Sequence, residues 1–183
     1  MNVARMAYVT ITEGDSFRRF ERNLSVLALS GALVGDLNHS RKFISSFAIC
    51  LKEELLARLS YLITAPRGCF GDKPSPMGAA TDKVTLGRRT LQAASVSTLI
   101  DGKITVYLVG APPAITKTGA ALAKLLLETI EAVGLPRDFV KQNCVSLSTD
   151  GEYVNLGVGD KLNALLGLEE VSILRYSYDR PSP

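Results

Sequence analysis

The 183-residue sequence predicts an α/β fold, a mixed β-sheet with helices packed on it, preceded by an N-terminal helical arm. In the first third of the chain, apolar residues recur at spacings of three and four, which is typical of amphipathic helices. Beyond residue 76 the pattern changes to short β-branched and alternating segments, interrupted by one clear helix. A stretch rich in proline and glycine separates the two patterns. We therefore predict a helical arm over residues 1–64, a linker over 65–76 and a sheet-containing core over 77–183.

The helical arm is dominated by one long predicted helix that begins after Ser40, a suitable N-cap. Its apolar stripe includes Phe43, Phe47, Leu51 and Leu55. Charged residues fall largely off that stripe, so the helix has one face available for packing or for a partner.

The core is predicted to run β-β-β-α-β-α, with a last extended segment over residues 171–179. The first strand carries Asp82. The next two strands flank Asp101-Gly102, a strong hairpin signal. An amphipathic helix follows with Thr118 as its N-cap, and residues 139–150 form the fourth strand. A helix that returns the chain to a further strand produces a mixed sheet covered by helices.

Asp82 and Asp150 are the candidate catalytic and metal-binding residues. One lies in the first strand and the other ends the fourth, so a crossover could bring both to one sheet edge, where α/β proteins bind ligands. Paired carboxylates suit the hard cations Mg²⁺ or Mn²⁺, which can act on a phosphodiester. Two structural interpretations remain open. Asp150 would be a helix cap or part of an Asp-Gly turn, with a capping box of Thr149 and Glu152 as one form of this, and Asp82 beside Lys83 would be a solvated strand end.

Cysteine usage argues against other kinds of site. Cys50, Cys69 and Cys144 are odd in number and far apart, and His39 is the sole histidine. We therefore expect neither a zinc site nor a disulfide framework, and no cofactor other than the divalent cation. No secretory signal and no run of about 18 apolar residues is present, so we expect a soluble intracellular protein without a membrane partner.

The charge distribution permits DNA as a partner without demanding it. The net charge is +3, and a small basic spot lies at Arg88 and Arg89. This spot could contact phosphate or could be a solvated loop, and both interpretations stay open.

Several segments resemble the catalytic core of hAT-superfamily transposases and their domesticated relatives, which have a ribonuclease H-like fold. These are ATDKVTLGRRTLQ, the DGK hairpin, TGAALAKLLLETIEAVGLP and, above all, CVSLSTDGEYVNLGVGDKLNALLG. The resemblance spans about residues 16–170. It implies metal-dependent DNA strand cleavage and transfer, with Asp82 and Asp150 as the first two carboxylates. It also favours Lys83, Arg88 and Arg89 as nucleic-acid contacts, and a nuclear location.

The resemblance also implies a third carboxylate, which finds no counterpart here. Glu169 and Glu170 precede the last predicted strand and lie in the wrong place for it. We therefore expect a truncated or domesticated core that is inactive alone. The alternative is a non-catalytic protein-protein or weak nucleic-acid-binding module, in which the arm stripe from Phe43 to Leu55 is the docking surface. Burial of that stripe favours a core role, and its exposure favours a partner.

Overall fold

The computed structural model describes residues 3–36, 38–86, 88–168 and 174–177. The chain divides into two compact units, Met1–Leu55 and Leu56–Pro183, which we call the helical unit and the sheet unit. The division falls inside one long helix, Arg41–Thr64, whereas the sequence predicts a boundary at residues 65–76. The proline- and glycine-rich stretch belongs to the sheet unit and contains a single 3₁₀ turn, Gly68–Phe70.

The helical unit consists of α1 (Val3–Thr12), α2 (Phe17–Leu29) and the first part of α3 (Arg41–Thr64). Its core contains Ala7, Phe20, Leu24, Val34 and Ile44. The predicted cap of α3 is confirmed, because the Ser40 hydroxyl accepts a hydrogen bond from the backbone N–H of Phe43 at 3.2 Å.

The sheet unit contains five described strands and four helices after α3. In chain order they are β1 (Met77–Leu86), β2 (Arg89–Ile100), β3 (Lys103–Gly110), α4 (Gly119–Glu131), α5 (Arg137–Asn143), β4 (Cys144–Thr149), α6 (Gly151–Asn155), α7 (Val158–Leu166) and β5 (Leu174–Ser177). The strand order is β3-β2-β1-β4-β5. β2 is antiparallel to its neighbours, whereas β4 is parallel to both β1 and β5, so the predicted mixed α/β sheet is confirmed.

Two local predictions can be compared with this architecture. The hairpin at Asp101-Gly102 is confirmed, with positive φ angles of 49° and 77° at the two turn residues. The fourth strand is shorter than predicted, because residues 137–143 form α5. Pro136 starts this helix with a fixed φ of −64°, and strand geometry begins only at Cys144.

Side chains alternate between two different faces of the sheet. On one face, which we call the covered face, the strand residues are buried: Met77, Ala79, Thr81, Gln92, Ala94, Val96, Thr98, Leu147 and Thr149. Helices α4 and α7 and the end of α3 supply the apolar side chains packed there, including Leu59, Ile63, Leu122, Leu126, Ile130 and Leu162. The residues between them in sequence form the open face. Apart from the buried Gly78, it is half-buried or exposed and consists mostly of small and polar side chains in β1, β2 and β4.

Candidate active site

The tertiary structure brings the two predicted carboxylates together at one edge of the sheet. β1 and β4 are neighbouring parallel strands in which Thr81 is paired with Thr149. Asp82 and Asp150 are the residues that follow this pair. Because adjacent strands lie about 4.8 Å apart and side chains alternate with a period of two, both carboxylates project from the open face side by side. The sequence indicated that a crossover could bring the two residues together, and the sheet order does so.

Each carboxylate has one oxygen engaged by the backbone. Oδ1 of Asp82 accepts a hydrogen bond from the N–H of Lys83 at 2.7 Å. Oδ1 of Asp150 accepts one from the N–H of Tyr153 at 2.8 Å, which makes Asp150 the N-cap of α6. The predicted capping box with Thr149 as its cap is therefore wrong. Asp150 starts the helix itself because an aspartate oxygen reaches the third helical N–H, and Glu152 does not reach back.

The two carboxylates line an open cleft of about 390 Å³. Its other lining residues are small: Ala80, Thr81, Ala93, Ser95, Ser148 and Thr149. Alanines and serines leave the backbone of three neighbouring strands close to the surface, so a flat or extended ligand can approach the sheet. The two carboxylates thus lie next to a sheet surface of small side chains, which presents little steric hindrance to a ligand.

A third carboxylate lies near the site but is held by a cation. Nζ of Lys83 contacts Oε2 of Glu152 at 3.0 Å, and both side chains are partly exposed. Exposed pairs of this kind stabilise a fold by about 0–1 kcal/mol, so the contact constrains the two side chains more than it stabilises the protein. Lys83 was predicted to contact nucleic acid, and here it pairs with Glu152 between β1 and α6.

Tyr153 lies beneath this group of acids. The residue is buried, and desolvation raises the pKa of its hydroxyl, with further contributions from the negative charges of Asp150, Glu152 and Asp82. All three carboxylates therefore contribute to the raised pKa of the Tyr153 hydroxyl. The electrostatic character of this sheet edge is negative, which favours a cation as the first ligand to bind.

A buried polar network supports the strand that carries Asp82. Nε2 of Gln92 donates hydrogen bonds to Oγ1 of Thr81 and to the carbonyl oxygen of Leu122, both at 3.0 Å. The Thr81 hydroxyl in turn donates to the carbonyl oxygen of Ala93 at 3.0 Å. The network joins β1, β2 and α4 directly next to Asp82. Among the described residues, Oε1 of Gln92 has no hydrogen-bond partner, so this buried oxygen is left unsatisfied on the covered face.

Sequence reasoning missed Thr81 and Gln92, although a signal for them existed. In the segment LQAASVSTLI, every second residue from Gln92 to Thr98 is buried, so alternation places Gln92 on the covered face. A glutamine at such a position requires partners, and this requirement would have indicated a buried network.

The donor set at the cleft fits a divalent cation of the Mg²⁺ type, although incompletely. Among the described residues, no three His, Cys, Asp or Glu side chains are grouped so that they could hold a metal ion. Mg²⁺, however, is commonly bound by one or two carboxylates together with water and substrate phosphates. Asp82 and Asp150 each keep one carboxylate oxygen without a backbone partner, so two ligands are available at the cleft.

The other predicted functional residues lie away from the two carboxylates. Arg88 and Arg89 are exposed at the β1–β2 turn. Four residues of β1 separate Asp82 from the end of that strand, which corresponds to about 13 Å. Glu169 and Glu170 lie outside the described residues.

The apolar stripe of the helical arm is divided between burial and exposure. Phe43 and Phe47 pack against the core of the helical unit, and Phe43 stacks between Phe20 and Phe47. Leu51 is half-buried and Leu55 is exposed. The first half of the predicted docking surface is therefore packed within the helical unit itself.

No family model and no curated protein matches the chain. The resemblance to hAT-superfamily transposases therefore stays a prediction from the sequence segments. Within the described part of the chain, no helix has both the length and the apolarity that crossing a bilayer requires.

Proposed function

We propose that the sheet unit is a ribonuclease H-like core of transposase descent, related to the hAT superfamily, whose cleft binds a divalent cation and a DNA phosphodiester. One observation carries the proposal: Asp82 and Asp150 follow the directly paired Thr81 and Thr149 and line the same cleft. The order of elements supports it, since three strands, a helical crossover and a parallel fourth strand succeed one another as the resemblance implies.

In this proposal, Asp82 and Asp150 hold Mg²⁺ or Mn²⁺ with the oxygens that the backbone leaves free. The bound cation would polarise a phosphoryl oxygen and offset its negative charge. Asp150 is oriented by its hydrogen bond from Tyr153, and Asp82 is oriented by the strand that the Gln92 network anchors. The small side chains of the cleft floor allow the sugar–phosphate backbone to approach the carboxylates.

We expect no strand cleavage by this chain alone. The third carboxylate near the site, Glu152, is paired with Lys83, and the described residues contain no group of three ligands. Transposase-type chemistry uses three carboxylates according to the resemblance, so two leave the cation incompletely held. The proposed activity of the sheet unit is therefore metal and DNA binding inherited from a catalytic ancestor, in a nuclear protein.

Mn²⁺ binding to the purified chain, followed by electron paramagnetic resonance, tests the proposal. Asp150→Asn is well suited because asparagine also caps helices, so α6 is retained while the charged ligand is lost. We expect Asp82→Asn and Asp150→Asn each to weaken Mn²⁺ binding by about tenfold or more, since changes around metal ligands alone cost about 10–100-fold.

The matched control is Asp138→Asn, which removes an exposed carboxylate from the first turn of α5. It is expected to bind Mn²⁺ as the wild type does. If the wild type binds no Mn²⁺, or if the three variants bind it equally, the two carboxylates do not form a cation site and the proposal is wrong.

A second candidate function, a non-catalytic binding module, is favoured by a different observation. On the open face of β3, Ile104, Val106 and Leu108 are 78%, 63% and 67% exposed. Three exposed aliphatic side chains in a row on one strand are typical of an interaction surface. DNA or protein binding that persists in EDTA and in the Asp82→Asn/Asp150→Asn double variant would favour this candidate.

A further inference from the structure

A basic cleft lies in the helical unit, apart from the two carboxylates of the sheet unit. Its volume is about 760 Å³, and its lining comes from the first turns of α2 and α3: Ser16, Phe17, Arg18, Arg41, Lys42, Ser45 and Ser46. The lining contains three cationic side chains, three hydroxyl groups and no carboxylate. Such a composition selects an anion.

The positive charge of this cleft is only partly compensated. Arg18 and Lys42 are exposed, and neither has an ion pair among the described residues. Nε of Arg41 is 3.5 Å from Oε2 of Glu21, and Oε1 of the same carboxylate accepts the backbone N–H of Arg41 at 2.8 Å. The other nearby acid, Asp15, is occupied by Arg19 at 2.7 Å. At least two full cationic charges therefore remain available to a ligand.

The backbone adds positive potential of the same sign. α2 has 13 residues and α3 has 24, and both begin at the cleft. Each helix N-terminus corresponds to roughly half a positive charge, and its first N–H groups lack acceptors within the helix. The caps at Ser16 and Ser40 satisfy the N–H groups of Arg19 and Phe43, and Glu21 accepts that of Arg41. The remaining N–H groups of the two first turns are those of Phe17, Arg18 and Lys42.

The cleft is held in shape by the core beneath it. Phe17 and Phe43 come from the same two first turns and pack against the core of the helical unit. Ser45 and Ser46 lie one turn after Arg41 and Lys42, so each hydroxyl is on the same side of α3 as a cation. The two helices therefore fix the backbone positions from which these cations and hydroxyls extend.

We propose that this cleft binds the phosphate backbone of nucleic acid, without reading its sequence. Arginine, lysine, serine and helix N-termini are the groups from which proteins make their phosphate contacts. A volume of about 760 Å³ exceeds a single phosphate and suits a polymer segment. Phe17 is the one apolar side chain of the lining and packs against the core of the helical unit, so the cleft offers little apolar surface to a bilayer and a membrane is disfavoured. The proposal does not depend on the function proposed for the sheet unit.

Fluorescence anisotropy with a labelled 20-base-pair duplex of arbitrary sequence, measured from 0.05 to 0.5 M salt on the full chain, tests this proposal. Lys42→Ala is compared with Lys52→Ala. Lys52 is also an exposed lysine of α3, but it lies ten residues further along the helix and does not line the cleft. We expect Lys42→Ala to lower the magnitude of the slope of log K against log salt by about 0.9, equivalent to roughly eightfold weaker binding at 0.1 M.

The double variant Arg18→Ala/Lys42→Ala is expected to lower that slope by about 1.8, while Lys52→Ala leaves it unchanged. Far-ultraviolet circular dichroism identifies any variant that fails to fold, and Lys42→Arg is expected to restore wild-type binding. Equal losses for Lys42→Ala and Lys52→Ala would overturn the proposal, as would the absence of duplex binding by the wild type. Complete competition by millimolar inorganic phosphate, or Lys42-dependent binding to phosphatidylserine vesicles in place of the duplex, would also contradict it.

Discussion

The two faces of the sheet have opposite chemistry although they alternate residue by residue along the same strands. On the covered face, Ala94 and Val96 are fully buried beneath α4. On the open face, their neighbours Ser95 and Ser97 are half-buried and face the cleft side of the sheet. The covered face supplies the hydrophobic contribution to folding, and the open face supplies a small, polar surface that ends in two carboxylates. Consecutive residues of the same strand therefore serve different purposes, one contributing to stability and the next to the candidate binding surface.

The largest expected difference between the two faces comes from one substitution made on each. Leu147 in β4 is 3% exposed on the covered face, whereas Leu108 in β3 is 67% exposed on the open face. We expect Leu147→Ala to lower the free energy of unfolding by about 2–5 kcal/mol, because it leaves a cavity in the core. Leu108→Ala is expected to change it by about 0.5 kcal/mol or less. Urea unfolding of both variants measures the contrast, and equal losses would contradict the assignment of faces.

A smaller loss of stability is expected from a substitution at Gly119, where α4 contacts the segment between α6 and α7. Gly119 begins α4, and a Cβ at this position would overlap the carbonyl oxygen of Leu156, between α6 and α7. A backbone carbonyl cannot move aside easily, so Gly119→Ala is expected to lower the free energy of unfolding by about 1–3 kcal/mol.

The matched control for Gly119→Ala is Gly151→Ala at the first residue of α6. Gly151 is exposed, its φ is not positive and a Cβ there would meet no atom within 4 Å. This change is expected to be neutral or to stabilise by about 0.4–1 kcal/mol, because alanine restricts the unfolded chain. Thermal unfolding of the two variants distinguishes the positions. A destabilised Gly151→Ala would show that the loop carrying Asp150 is more tightly packed than the structure indicates.

The last prediction concerns Cys144, which is buried on the covered face. Its expected effect on the free energy of unfolding is the smallest of the set near neutral pH and increases at alkaline pH. Burial raises the pKa of its thiol from 9.0 to about 11. Between these values the unfolded chain releases the thiol proton while the folded chain retains it. The stability present below pH 9 is therefore lost as the pH rises, by about 1.4 kcal/mol per pH unit.

Urea unfolding of the wild type and of Cys144→Ala at pH 7, 9 and 10 measures this contribution. The stability difference between the two proteins is expected to stay constant up to about pH 9 and then to shift against the wild type. A difference that does not vary with pH would contradict the burial of the thiol. Cys50 and Cys69 are exposed and are retained in both proteins.

Local patterns predicted much of the fold because they depend on neighbouring residues. The Asp101-Gly102 turn, the cap at Thr118 and the cap at Ser40 involve groups at most three positions apart, and all three are present. Helix α5 was missed because Phe139, Val140 and Cys144 are compatible with a strand as well as with a helix. Only packing against the core decides between them, since Val140 is buried beside Cys144.

In the candidate site too, local features could be predicted from the sequence, whereas long-range contacts could not. Sequence identified Asp82 and Asp150 as candidate carboxylates, but it left the cap open between Thr149 and Asp150 and left Lys83 free to contact DNA. The ion pair between Lys83 and Glu152 joins residues 69 positions apart, and the Gln92 network joins β2 to Thr81 and to Leu122 of α4. Contacts of this range depend on strand order and register, which no local pattern specifies.

The sequence by itself determined the α/β class, the hairpin, the main helices and the identity of the two carboxylates, because hydrophobic periodicity and turn chemistry act over a few residues. Only the tertiary structure decided that Asp82 and Asp150 lie side by side on the open face. It likewise decided that the first turns of α2 and α3 converge on one basic cleft. Both arrangements depend on how elements that are distant in sequence pack together. That packing is determined by the apolar surface that all of the elements bury jointly, which no local pattern specifies.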